Sequence, residues 1–287
     1  MNIGVPIVLA GIVVSIAFSA WRKYSFSLLA SVTCVFSFLV MILAAPSRFL
    51  GIIGQLGFAS SDLTDPAHAY TILTSMYTHS GLGHLFFNIA VLIFIGPWFE
   101  QRIGTRPFIL LYLISGLAGT LAFAVFNWNS GAIVVGASGA ISGVLGGFAR
   151  LYPRERMSIM FIPSVPISIT VVVIAYVFLQ LIFVISSPDV SVESHIAGLL
   201  AGMLLAPLVG KAHAKKEVKT RLSAAGLSKL ATTPELKGIL ERIRTEEVAD
   251  VRQAWIDHFL SRAKCPVCGA RVSEVRGSVR CEKGHLL

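Results

Sequence analysis

An all-α polytopic membrane protein, with a small polar module after its last span, is the architecture that these 287 residues predict. Three observations carry the prediction. Hydrophobic residues make up 55% of the chain and charged residues only 14%, with a mean hydropathy of +0.76, which is far too apolar for a soluble globule. Apolar runs of about the length that crosses a bilayer recur seven times before Gly210. After Gly210 the composition turns to Lys, Glu, Ala and Arg, and three of the four cysteines gather near the end.

The runs lie at about 3–20, 26–45, 85–99, 107–126, 137–150, 166–186 and 192–210. The first has no basic segment before it and no small-residue cleavage site after it, so it reads as a retained span and not as a signal peptide. Cys34, alone in the second, reads as packing. The connection from Pro46 to Gly83 carries Pro66, several glycines and the apolar Phe49, Leu50, Ile52 and Ile53. It is either an irregular element lying in the interface or a long external loop. The fifth run is short and glycine-rich, which places it inside the bundle, away from lipid.

Orientation follows from the cations. Arg22 and Lys23 fall in the first connection, Arg102 and Arg106 in the third, Arg150, Arg154 and Arg156 in the fifth. The alternate connections, about 46–84, 127–136 and 187–194, hold only Arg48. The positive-inside rule then puts the N-terminus outside and the tail in the cytoplasm of a cell-membrane protein. Of 24 Lys and Arg residues, 16 follow Gly210 with nine acids among them, so the net charge of +9 belongs mostly to a polar tail. A membrane surface or plain solubility accounts for it better than nucleic acid, which is not expected as a partner. In that tail Thr233 precedes Pro234 as an N-cap precedes a first helical residue, and Leu236, Leu240, Ile243, Val251, Trp255 and Phe259 recur at helical spacing. One or two amphipathic helices are expected there, packed on one another or on the terminal module.

Chemistry concentrates at Gly136-Ala137-Ser138-Gly139. A serine between glycines where a loop enters a helix exposes its hydroxyl beside backbone N–H groups free to bind an oxyanion. Close helix packing is the other reading, since glycines four apart also serve it. With the predicted topology Ser138 lies at the outer end of its helix, and His195 lies at the outer end of the last span, with Gly198 and Gly202 at i+3 and i+7 on its face. His84 and Asn88, at i and i+4, open a third span from the same side and both can donate hydrogen bonds to an oxyanion. Each polar group alone reads as an interhelical hydrogen bond; four at one end of three helices read as a site. Serine needs an adjacent base, and an imidazole such as His195 is neutral and able to accept near pH 7. No acid lies at that depth to orient it, since Asp189 and Glu193 fall in the preceding connection.

From about Tyr70 to Pro207 the chain resembles the rhomboid family of intramembrane serine proteases. The resemblance is carried by Leu73-Thr74-Ser75-Met76-Tyr77-Thr78-His79, by His84-x-x-x-Asn88 and by Gly96-x-x-x-Glu100-x-x-x-Gly104-x-x-x-Phe108. Gly136-Ala137-Ser138-Gly139 and His195-x-x-Gly198-x-x-x-Gly202 complete it. It implies a six-helix core made of the second to seventh runs plus one extra N-terminal transmembrane helix. It implies Ser138 as nucleophile and His195 as base in a dyad, with His84, Asn88 and the Ser138 N–H as oxyanion hole. His79 supports the loop, and Gly136, Gly139, Gly198 and Gly202 support the site. Glu100 and Arg102 are expected to stabilise the cytoplasmic end. The substrates implied are transmembrane helices of other proteins, cut near the external face, with membrane lipid around them; the alternative is a pseudoprotease that binds such helices. Two positions depart from the family pattern: Tyr70-Thr71 stands where Trp-Arg is common, and Ser142 stands where an aromatic residue often stacks on the catalytic histidine.

Cys265-Pro266-Val267-Cys268 and Cys281-Glu282-Lys283-Gly284-His285 offer three thiolates and an imidazole, a closed tetrahedral set suited to structural zinc, and the segment resembles a zinc ribbon. Catalysis itself calls for no cofactor. The expected division is 1–25 for the extra helix and loop, 26–210 for the core, 211–262 for a basic helical linker and 263–287 for the zinc-ribbon-like module, which is a candidate dock for a protein partner.

Overall fold

The computed structural model describes residues 2–22, 24–44, 49–128, 130–159, 162–186, 190–217, 227–246, 249–275 and 278–286. Lys23, Arg48, Asp189 and residues 218–226 of the expected linker lie outside the described residues. The chain divides into two compact units, Met1–His213 and Ala214–Leu287.

Each of the seven apolar runs is mostly helical in the first unit, six as single helices and the third as a bent pair. α1 (Gly4–Arg22) and α2 (Phe26–Ala44) pack along each other, with Gly11 making room for the Phe36 ring. The connection that follows is not irregular throughout: it holds α3 (Phe49–Leu56), β1 (Phe58–Ala59) and a short α4 (Thr71–Thr74). The third run is two helices, α5 (Leu82–Phe94) and α6 (Gly96–Ile103), bent by 40° where Pro97 follows the break. α7 (Thr105–Phe126) leads through β2 (Ile133–Val134) into α8 (Ser138–Leu151). The next run begins later than its apolar residues suggest. Residues 166–168 belong to a hairpin, β3 (Arg156–Ile159) with β4 (Ile162–Ser168), and α9 (Ile169–Ser186) starts only after it. α10 (Val192–Glu217) runs past the expected end and carries Pro207 inside it.

By length and composition four of these helices suffice to cross a membrane, or five when the bent pair counts as one. The large exposed side chains agree with a lipid-facing surface: Leu43, Phe87, Phe126, Phe178 and Leu204 are all exposed on helices. This is a largely helical, polytopic membrane protein with three short two-stranded sheets among the described residues.

Two polar clamps hold the ends of the bundle. At one end the Glu100 carboxylate, 3% exposed, accepts from the backbone N–H of Phe26 (2.6 Å) and Ser27 (2.9 Å) and from the Ser25 and Ser27 hydroxyls, so α6 caps the start of α2. Beside it Arg102 pairs with Glu155 and lies over the Trp98, Phe148 and Tyr152 rings, while Arg106 Nε donates to the Ala20 carbonyl. The first, third and fifth connections therefore share this end. At the other end β1 pairs with β2, the Ser60 hydroxyl donates to the Asn127 carbonyl, and Asn127 Nδ2 donates to Glu193, which belongs to α10 and not to the connection before it.

In the second unit Thr233 caps α11 (Pro234–Thr245), its hydroxyl accepting from the Leu236 N–H at 3.3 Å. α12 (Ala249–Arg262) follows, and β5 (Val272–Val275) pairs with β6 (Ser278–Cys281). Leu236, Ile239, Leu240 and Ile243 of α11, Ile256, Phe259 and Leu260 of α12, and Val272 and Val279 of the hairpin share one core. The helices and the ribbon are thus one packed body.

Candidate active site

The capped end opposite Glu100 is where the chemistry-bearing side chains meet. Ser138 is the first residue of α8, and its Oγ lies 2.7 Å from His195 Nε2, one turn into α10. Glycine sets that spacing. A Cβ on Gly198 would strike the Gly139 carbonyl, and one on Gly202 the Gly143 carbonyl, so α8 and α10 touch backbone to backbone. α7 closes on the same seam: Gly143 receives the Ser115 side chain, and Gly119 of α7 lies against Ser194, whose hydroxyl donates to the Gly119 carbonyl at 2.9 Å.

The loop before α8 is held as firmly. Gly136 adopts φ +120°, a conformation that a side chain rarely allows, and its N–H donates to the Ser75 carbonyl at 2.9 Å. A methyl group at Gly136 would stand 2.6 Å from His84 Nε2 and 3.5 Å from Ser138 Oγ, so these two atoms flank the same small space. His84 Nδ1 is 3.1 Å from the Ser80 hydroxyl, and the buried His79 ring meets the His84 ring edge-on at 5.0 Å. Asn88 is buried one turn below; its Nδ2 donates one hydrogen to the His84 carbonyl at 2.8 Å, which leaves its second hydrogen for the site. Ser138 and His195 are in contact and His84 shares the space beside Gly136 with Ser138, while Asn88 lies one turn below His84 on α5; Gly139, Gly143, Gly198 and Gly202 form the seam between α8 and α10.

Both departures from the motif pattern have a structural answer. Tyr70 donates its hydroxyl to the Gln55 carbonyl at 3.0 Å, and the Thr71 hydroxyl donates to Asp62 at 2.8 Å, anchoring the loop from within. Ser142 gives its hydroxyl to a network instead of a ring: its Oγ is 2.6 Å from the Ser138 carbonyl and 2.6 Å from the Tyr176 hydroxyl of α9. The Tyr176 ring then lies 6.2 Å from His195, so an aromatic group borders the imidazole from a different helix. One residue escaped sequence reasoning altogether. Gln180, 1% exposed on α9, places Oε1 2.7 Å from His195 Nδ1. Its only sequence signal is an isolated amide four residues after Tyr176 in an otherwise apolar helix.

A second cluster lies in the Ala214–Leu287 unit. The ligand atoms of Cys265, Cys268, Cys281 and His285 all lie within 4.8 Å of one another, with Cys268 and Cys281 sulfurs 3.7 Å apart and His285 Nδ1 3.3 Å from Cys281. A tetrahedral zinc with Zn–S bonds of about 2.3 Å has sulfur–sulfur edges of about 3.8 Å, so the four residues fit that ion. The His285 N–H donates to Cys281 Sγ at 3.3 Å. Removal from water raises the Cys265 and Cys281 thiols, but the N–H groups of Val267 and Cys268 around the first, and of His285 and Lys283 around the second, help bring both below the ordinary thiol value. The set is a Cys3His metal-binding cluster consistent with a zinc-ribbon-like module.

Comparison with known proteins places this arrangement. A model of the Rhomboid domain matches residues 66–212. Rhomboid protease GluP of Bacillus subtilis (strain 168) is 35% identical over 175 residues, 61% of this chain and 33% of that protein. RHOMBOID-like protein 4 of Arabidopsis thaliana is 37% identical over 143 residues, 47% of this chain and 33% of its own length. Inactive RHOMBOID-like protein 8 of the same plant is 38% identical over 96 residues, 33% of this chain and 27% of its own length. The chain thus spans about a third or less of the length of each of these relatives. The matched segment takes in the helices that bear His84, Ser138 and His195 together with the glycine seam between them, and on that span the chain belongs to the rhomboid family.

Proposed function

We propose that this chain is an intramembrane serine protease that cuts transmembrane segments of other membrane proteins near the external face. The observation that carries the reading is the 2.7 Å contact between Ser138 Oγ and His195 Nε2 at one end of the helical bundle. Ser138 attacks the scissile carbonyl while His195 takes its proton and returns it to the leaving amine. The carbonyl oxygen, turning anionic, enters the space beside Gly136 that His84 Nε2 flanks, where the Ser138 N–H, His84 and the second hydrogen of Asn88 Nδ2 receive it.

Residues 26–210 form the six-helix core in this reading, residues 1–25 add one transmembrane helix, 211–262 are the cytoplasmic linker and 263–287 the zinc-ribbon-like module. The arginines gathered at the Glu100 end support a cytoplasmic position for that end, with the dyad facing the external side of the cell membrane in this reading. Cys265, Cys268, Cys281 and His285 would hold a structural zinc, which would supply folding free energy to its unit. The tail docks a protein partner at the inner face.

The test is purified protein in liposomes with a transmembrane reporter, wild type against Ser138→Ala and His195→Ala, with the cut mapped by mass. Cleavage near the external end of the reporter helix, falling by at least about 10³-fold in both variants, is expected. A pseudoprotease that binds membrane helices without cutting them is the second reading, favoured by the similarity to a plant relative named inactive. Reporter binding with no cleavage by the folded wild type would establish it instead.

A further inference from the structure

Resting on the protease reading, we propose that Gln180 is a positioning residue that orients His195 beside Ser138. The argument is one of hydrogen-bond polarity. For His195 to take a proton from Ser138 Oγ at 2.7 Å, its Nε2 must carry the lone pair and its Nδ1 the hydrogen. An Nδ1–H needs an acceptor, and Gln180 Oε1 stands 2.7 Å from it. The amide is neutral, so it fixes the tautomer and the ring plane without the charge that a carboxylate would bring into an apolar bundle. It is also well held. Gln180 is 1% exposed, and Tyr176, one turn earlier on α9, is tied through Ser142 to the Ser138 carbonyl, so α9 grips both members of the dyad.

Two readouts separate positioning from packing. In the full-length protein carrying ¹⁵N-labelled histidine, the His195 signal is expected in the Nδ1-protonated tautomer, and Gln180→Leu, close in size and without an acceptor, is expected to show both tautomers. In cleavage, Gln180→Leu is expected to lower kcat about 10- to 100-fold with KM within about twofold. Gln180→Glu is expected to restore an acceptor and to move the acid limb of the kcat profile upward by about one pH unit, because a carboxylate beside the imidazole favours its protonated form.

An unchanged tautomer together with unchanged kcat in folded Gln180→Leu would overturn the proposal. Should that variant fail to fold, an unshifted acid limb in Gln180→Glu would overturn it equally. The tautomer needs no cleavage to be read. A wild-type chain that cuts nothing, yet shows the Nδ1-protonated form lost in Gln180→Leu, would sink the proteolysis and keep the hydrogen bond.

Discussion

Ser138 is set by neighbours that differ in how much they can be changed. Its contact with His195 is set by backbone, because a Cβ at Gly198 meets the Gly139 carbonyl. Gly198→Ala is therefore expected to push α10 off α8, costing about 1–3 kcal/mol of stability and most of the activity, whereas Leu204→Ala, on an exposed side chain of the same helix, should leave both near wild type. Reversible unfolding in detergent and kcat per folded molecule would read the two effects. Tyr176→Phe is a gentler probe. It keeps the ring beside His195 and removes the hydroxyl that meets Ser142, so a loss of no more than about tenfold in kcat is expected, against a larger one for Tyr176→Ala. Ser138, His195, His84 and Asn88 stand out as a candidate site in the sequence because each is a polar group at the end of an apolar run. Gln180 does not, since one amide inside an apolar helix has no periodicity and looks the same whether it bonds a neighbouring helix or orients a catalytic ring.

Elements were legible to the extent that apolar length determined them. All seven runs are helical over most of their length, the third as two helices, and Thr233-Pro234 marks the start of α11 through a cap whose chemistry is local. What escaped was set by contacts. Pro166-Ile167-Ser168 adjoins the apolar run directly, yet Ile167 and Ser168 pair with Met157 and Arg156 of β3, and helix begins only at Ile169. Beyond the bend between α5 and α6, where Gly96-Pro97 opens the second helix, the Glu100 carboxylate meets the N-terminus of α2. That cap is open to a direct test. Glu100→Ala leaves the Phe26 and Ser27 N–H groups without their acceptor, and a loss of about 2 kcal/mol in unfolding free energy is expected. Cleavage per folded molecule should stay within about twofold, because Glu100 lies at the end away from Ser138.

Two cores, one in each compact unit, lead to a prediction for the whole molecule. The second unit has its own apolar cluster and a Cys3His set, so metal should govern its folding while the first unit stands on helix packing. One zinc per chain is expected by elemental analysis. Acidification should release it, because protons compete for three thiolates and one imidazole, and a chelator should unfold the Ala214–Leu287 unit while reporter cleavage in liposomes continues. Loss of cleavage on chelation would show that the tail acts on the core.

The backbone contact between Gly139 and Gly198 has a consequence for how the proposed protease would meet different lipids. A gap defined by side chains would loosen whenever a rotamer changed; a gap defined by two main chains resting on each other behaves as a mechanical stop. The separation of Ser138 and His195 should then be indifferent to bilayer thickness and composition. The surrounding membrane is left to control only how often a substrate helix arrives in reach, so KM should vary from one lipid to another and kcat hold nearly constant.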